Sequence, residues 1–149
     1  MTNTRYSKIR SVSAVYGLLN QKRTKIYIGS TNNLRRRVQQ HESLLKNRSH
    51  HNKELQEHYN LGEKIEVVVL WLDPLEDSET DNDIHFSRGI IYHIEGLYIE
   101  RIPREKLYNQ RQTSYKQAGE DEDPLFTPMI GDYIGLGQVT ENLKKLDLT

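Results

Sequence analysis

The sequence predicts an α+β domain from three observations: two β-rich runs around a short polar loop, a third apolar run of strand length, and three segments with helical periodicity. At 149 residues the chain lies within the range of one domain. A globule of this size buries about 70% of the surface its unfolded chain exposes, so a single hydrophobic core is attainable.

Ser13 to Leu19 and Lys25 to Gly29 are the β-rich runs, and the polar stretch Asn20 to Thr24 turns the chain between them into a hairpin. Strand side chains alternate between faces, so register decides which residues meet. Pairing Asn20 with Arg23 would set Tyr16 directly opposite Tyr27, and any odd-sum register keeps both on one face. Ser30, Thr31, Asn32 and Asn33 then offer N-cap oxygens to a helix over 34–45, where Leu34, Val38, His41 and Leu45 form one apolar stripe. Arg37 and His41, four residues apart, share a side of that helix.

A more polar helix is expected from about Asn52 to Tyr59, ended by Asn60-Leu61-Gly62. Lys64 to Leu72, apolar throughout from Val67 to Trp71, is the third strand. Residues 73–88 read as an acidic loop opened by Asp73-Pro74. From Gly89 the pattern Ile90, Ile91, Ile94, Leu97, Tyr98, Ile99 and Ile102 is helical, and Pro103 limits its end. The organisation is then an N-terminal arm over 1–12, a folded domain over 13–110, and a tail over 111–149. That tail carries Leu125-Phe126, Met129-Ile130 and Tyr133-Ile134, and is expected to pack on the core or on a partner.

There is no apolar run long enough for a membrane span and no signal-like leader, so the chain reads as soluble and intracellular. With no cysteine, disulfides and thiolate metal sites are excluded. Net charge is zero, yet residues 1–64 hold 13 Lys and Arg against 4 Glu, while residues 65–149 hold 8 against 17 acids. The basic half can meet phosphates while the acidic runs stay in solvent.

Glu95 is the acid whose placement demands explanation. Ile91, Ile94, Tyr98 and Ile99 surround it on the helix, and a carboxylate on an apolar stripe needs a hydrogen bond, a counter-charge or a metal. Glu100, flanked by Gly96 and Arg104, reaches water. His50-His51 and His58 match no common zinc spacing.

Val15-Tyr16-Gly17, Tyr27-Ile28-Gly29, Asn33-Leu34, Arg37, His41, Glu95 and Leu107-Tyr108-Asn109, in that order, resemble the GIY-YIG nuclease family over about residues 13–110. Each tripeptide alone is a weak signal. The specificity comes from the arginine ten residues after the second tyrosine and the asparagine fourteen after the glutamate. The family's first tripeptide usually begins with glycine, where this sequence has Ala14, followed by Val15 and Tyr16. Tyr133-Ile134-Gly135 repeats the second tripeptide without its companions and is read as structural.

The resemblance implies a small three-stranded antiparallel sheet flanked by helices and the hydrolysis of DNA phosphodiesters with one magnesium or manganese ion. It implies Tyr16 as general base, Tyr27 as a partner of phosphate or attacking water, and Arg37 as the fork that stabilises the transition state. His41 would be an auxiliary base or phosphate ligand, Glu95 the metal ligand, and Asn109 a residue positioning backbone or phosphate. Lys25, Ser30, Arg35 and Arg36 are the expected nucleic-acid contacts. One such site cuts one strand, so a double-strand break calls for a homodimer or two engagements. The alternatives are a non-catalytic nucleic-acid binding module that keeps the fold, and a repair nuclease subunit.

Overall fold

The computed structural model describes residues 12–72, 81–109 and 136–148. Its centre is a three-stranded antiparallel sheet in the order β2-β1-β3, made of β1 (Ala14–Asn20), β2 (Ile26–Thr31) and β3 (Ile65–Leu72). Every residue of β1 is buried because helices cover both faces of the sheet. Helices α1 (Leu34–Lys46) and α2 (Lys53–Asn60) pack on the face that presents Ala14, Tyr16 and Leu18. On the other face, α3 (Asp81–Arg101) and α4 (Leu136–Leu146) cover Val15, Leu19, Ile26 and Ile28. The expected α+β architecture is therefore present, and alternation along one central strand feeds two separate cores.

The hairpin register differs from direct opposition of the two tyrosines. Tyr16 faces Gly29 and Leu18 faces Tyr27, so the pairing has moved two residues from the expected one. The cause is the turn. Asn20 Oδ1 accepts from the backbone N–H groups of both Thr24 and Lys25, at 2.9 Å each, and Arg23 takes a left-handed conformation with φ 58°. Asn20 thus pairs with Lys25 across a wider loop. The sum remains odd, and Tyr16 and Tyr27 share the α1 face as diagonal neighbours.

Helix α1 starts where the capping oxygens stand: Asn33 Oδ1 accepts from the Arg36 N–H at 3.1 Å. Its buried side is Leu34, Val38, His41, Glu42 and Leu45, the expected stripe with one addition, Glu42, which is paired with Lys46 at 3.0 Å. Asn52 caps α2 in the same way through the Leu55 N–H. Strand β3 carries a bulge invisible in its uniformly apolar sequence. Val15 faces Trp71 while Tyr16 faces Val69, leaving Leu70 as the extra residue. The Leu70 carbonyl then accepts from Tyr98 Oη and from Asn142 Nδ2, both at 3.1 Å, which ties α3 and α4 to the strand.

Two expectations about the second half change. Residues 81–88, read as part of an acidic loop, are the first turns of α3. Residues 73–80 of that stretch lie outside the described residues, as do 1–11 and 110–135 with the Tyr133-Ile134-Gly135 repeat. The tail also contains an unexpected element, α4, which inserts Val139 and Leu146 into the core on the α3 side. Among the described residues no helix is long and apolar enough to cross a membrane.

Candidate active site

Tyr16 and Tyr27 rise from adjacent strands under α1, and α1 places Arg37 and His41 over them. Tyr16 is fully buried, and its ring lies across Gly29 of β2 so closely that a Cβ there would sit 2.5 Å from the phenol oxygen. Glycine at 29 is what allows this tyrosine to cross its neighbouring strand. The phenol oxygen stands 2.6 Å from His41 Nε2. The Tyr27 ring meets the edges of His41, His50 and His51, with its hydroxyl 3.4 Å from His51 Nε2.

Arg37 is half-buried, hydrogen-bonds Gln40 at 3.1 Å, and acts electrostatically on both phenols. Burial and the neighbouring Tyr27 push the Tyr16 hydroxyl well above the ordinary phenol range, and Arg37 opposes them. Tyr27 is raised for the same leading reason, burial, again with Arg37 opposing. Both phenols are therefore protonated at neutral pH in the free protein. Burial, then Arg37 and the neighbouring imidazoles, lower His41 to about 2. His50 is lowered to about 4 by burial, His51 and Arg37. These imidazoles are neutral in the fold.

Glu95 approaches from α3, on the opposite face of the sheet, at the same end. Its Oε2 accepts from Ser30 Oγ at 2.9 Å, and its charge is felt at both tyrosines. Burial raises its pKa above the ordinary carboxylate value, and the Ser30 hydrogen bond offsets part of that. The carboxylate on an apolar stripe thus has its partner in a serine of β2. Beside it opens a cleft of about 340 Å³ lined by Ser30, Thr31, Asn32, Ile91 and the half-exposed Tyr92. Among the described residues no group of three or more His, Cys, Asp or Glu gathers to hold a metal.

Asn109 does not enter the cleft. Its side-chain amide pairs with the Ile28 backbone, accepting from the N–H and donating to the C=O, each at 2.9 Å. With Tyr108 N–H donating to the Ile26 carbonyl at 2.9 Å, this segment closes the free edge of β2 and holds Tyr27 and Gly29 in place. Lys25 points elsewhere: its ammonium is paired with Glu54 at 2.5 Å, above the Tyr108 ring. Arg35 and Arg36 lie on the exposed side of α1, while Ser30 belongs to the Glu95 pair.

His50, His51 and Asn52 were missed as members of this site. Each is adjacent to α2 in sequence, and only the short return from α1 brings them beside His41: His50 Nε2 is 2.8 Å from His41 Nδ1. The available signal was a run of two histidines immediately before an N-cap asparagine, near the end of a helix already bearing His41.

Compared with known proteins, residues 12–115 match the family model described as the GIY-YIG catalytic domain. No curated protein and no solved structure matches the chain.

Proposed function

Because the chain belongs to the GIY-YIG family of nucleases, we propose that it is a metal-dependent DNA endonuclease that cuts one strand of double-stranded DNA at each engagement. The observation that carries this reading is the convergence of two tyrosines, an arginine and a histidine on one sheet face, with Glu95 at the same end from the other face. Phosphodiester hydrolysis needs a proton acceptor for the attacking water, neutralisation of charge on the non-bridging oxygens, and stabilisation of the leaving oxygen.

Tyr16 is the proton acceptor, acting as the phenolate. Arg37 presents its planar fork to the phosphate, the task for which guanidinium is better shaped than ammonium. Tyr27 donates to phosphate or orients the water. Glu95 fits a hard divalent cation such as magnesium or manganese: it supplies carboxylate oxygens, one of them steadied by Ser30. No group of three or more His, Cys, Asp or Glu gathers among the described residues, so water and phosphate would complete most of the shell, as magnesium accepts. When bound, such an ion supplies charge neutralisation at the phosphate and a lower pKa for water. Arg35 and Arg36 on the outer side of α1 extend the positive surface along the DNA backbone.

Incubation of the purified full chain with supercoiled plasmid and magnesium tests the reading, alongside Glu95→Ala and Arg37→Ala. Nicking by the wild type and its loss in both variants is the expected result. Nicking that survives both substitutions refutes this site, and DNA binding without cleavage identifies a non-catalytic binding module. Gel filtration with and without a DNA duplex reads whether a homodimer assembles to cut both strands.

A further inference from the structure

Two histidines behind Tyr16, His41 and His50, form a chain of hydrogen bonds whose direction is set at its far end. The backbone N–H of Asn52 donates to His50 Nδ1 at 3.0 Å, and an amide N–H has no other role than donor. His50 Nδ1 therefore carries no proton, and the neutral ring has its N–H at Nε2. That N–H faces His41 Nδ1 at 2.8 Å and donates to it. His41, accepting at Nδ1 and neutral, has its own N–H at Nε2, which donates to Tyr16 Oη at 2.6 Å.

We propose that His50 is a positioning residue whose contact with the Asn52 backbone fixes the tautomer of His41, so that Tyr16 is a hydrogen-bond acceptor from His41 and never passes its proton to that imidazole. The catalytic consequence rests on the nuclease reading above; the tautomer does not.

The far end of the chain is rigid. Gln56 Oε1 accepts from the His50 N–H at 3.0 Å, while its Nε2 donates to the Leu45 carbonyl and to Asn60 Oδ1, both at 3.0 Å. Asn52 caps α2 with one side-chain atom and donates to the Tyr108 carbonyl at 2.7 Å with the other. The segment that orients His50 is thus held by α1, α2 and the strand-edge residue preceding Asn109. Around the His41 ring stand Tyr16 from β1, Tyr27 from β2, Arg37 from its own helix, and His50 and His51 from the α1–α2 connection. Burial first, then the Arg37 cation, with no carboxylate in that set to oppose them, keep His41 neutral and hence a one-proton ring.

The chemical result is directional. With His41 donating, the Tyr16 hydrogen points away from the imidazole, and Arg37 offers no acceptor for it. Because the phenol is closed to bulk solvent in the free protein, the Tyr16 O–H bond breaks by passing its proton to a water that enters with the DNA. The resulting phenolate keeps the His41 N–H on its oxygen and takes a proton from the water that attacks phosphorus. A donor to the charged form favours it, so His41 works against the burial that opposes ionisation of Tyr16.

Imidazole 15N NMR on the metal-free full chain decides the tautomers without reference to activity. Both His41 and His50 are expected as the Nε2–H form at neutral pH, and His41 as the Nδ1–H form overturns the proposal. His50→Gln keeps an amide donor for His41 Nδ1, and His50→Leu removes it. The Leu variant is expected to lower kcat about tenfold, the weight of one buried hydrogen bond. Its KM for plasmid should change little, and the ascending, acid-side limb of its kcat–pH profile, which follows ionisation of Tyr16, should move to higher pH, whereas the Gln variant retains most of kcat. Equal losses in the two variants, or an unchanged kcat in folded His50→Leu, overturn the positioning role. If the wild type cuts no DNA, the nuclease reading fails while the NMR result still decides the tautomer.

Discussion

Adding one methyl group at Gly29 tests whether the position of Tyr16 matters. An alanine Cβ would lie 2.5 Å from Tyr16 Oη and 2.6 Å from Cζ, about 0.9 Å short of the 3.4 Å at which ordinary contact begins. The ring has no free side to yield into, since it is fully buried beneath α1 with His41 2.6 Å from its oxygen. Forcing a close-packed group aside costs about 1–3 kcal/mol, and breaking the His41 hydrogen bond adds roughly 1 kcal/mol. Gly29→Ala should therefore melt several degrees lower. A reacting group displaced by about 1 Å loses on the order of a hundredfold in rate, so plasmid nicking should fall by one to two orders of magnitude. Gly62→Ala is the control: φ is +92° with nothing within 4 Å, so it should lose about 1 kcal/mol by backbone strain alone and nick at the wild-type rate. Equal stability losses with equal, unchanged kcat in the two variants would refute the claim that Tyr16 is held where it reacts.

Glu95→Gln should abolish nicking yet raise Tm at pH 7. The folded pKa of Glu95 lies above its unfolded value, so ionisation weakens the fold as pH rises through that window, and the gain from glutamine should vanish in acid. A variant that melts lower at pH 7 would contradict it. Asn109→Ala removes two hydrogen bonds from the β2 edge and should cost about 1–3 kcal/mol together with kcat, read by melting and nicking. An unchanged Tm would show that the edge needs no such clamp. His41 and His50, lowered to about 2 and about 4, bind protons in the unfolded chain below about pH 6.5 but not in the folded one. Stability is thus fully present above that pH and lost as pH falls towards 4; a flat melting profile across this range would exclude neutral buried imidazoles.

Periodicity made the hairpin, the α1 stripe and the placement of Glu95 legible, because each is a local repeat of apolar residues against a fixed geometry. Register was not, since it depends on how Asn20 spends its side-chain oxygen, on the N–H groups of Thr24 and Lys25, and no hydrophobic pattern records that choice. The start of α3 was hidden because aspartates serve equally in loops and in first turns. The bulge at Leu70 was silent inside an unbroken apolar run. For α4 a signal did exist: Val139, Leu143 and Leu146 stand four and three apart, at helical spacing. Arg37 and His41 were found as an i, i+4 pair. His50 required knowing how α1 returns into α2, which is tertiary information.

The hydrogen bonds around Leu70 and Leu146 bear on where this chain can be cut down. Asn142 donates to the bulged Leu70 carbonyl and to Tyr98 Oη, at 3.1 and 2.7 Å, and Arg23 in the hairpin loop binds the Leu146 carbonyl through Nε and Nη2 at 3.0 and 2.6 Å. Helix α4, beyond the residues shared with the family, therefore braces both the strand beside Tyr16 and the turn that sets its register. A fragment ending at residue 115 would keep every proposed catalytic group and lose the buttress that holds their frame, so the heritable unit of chemistry is shorter than the mechanical unit that makes it work.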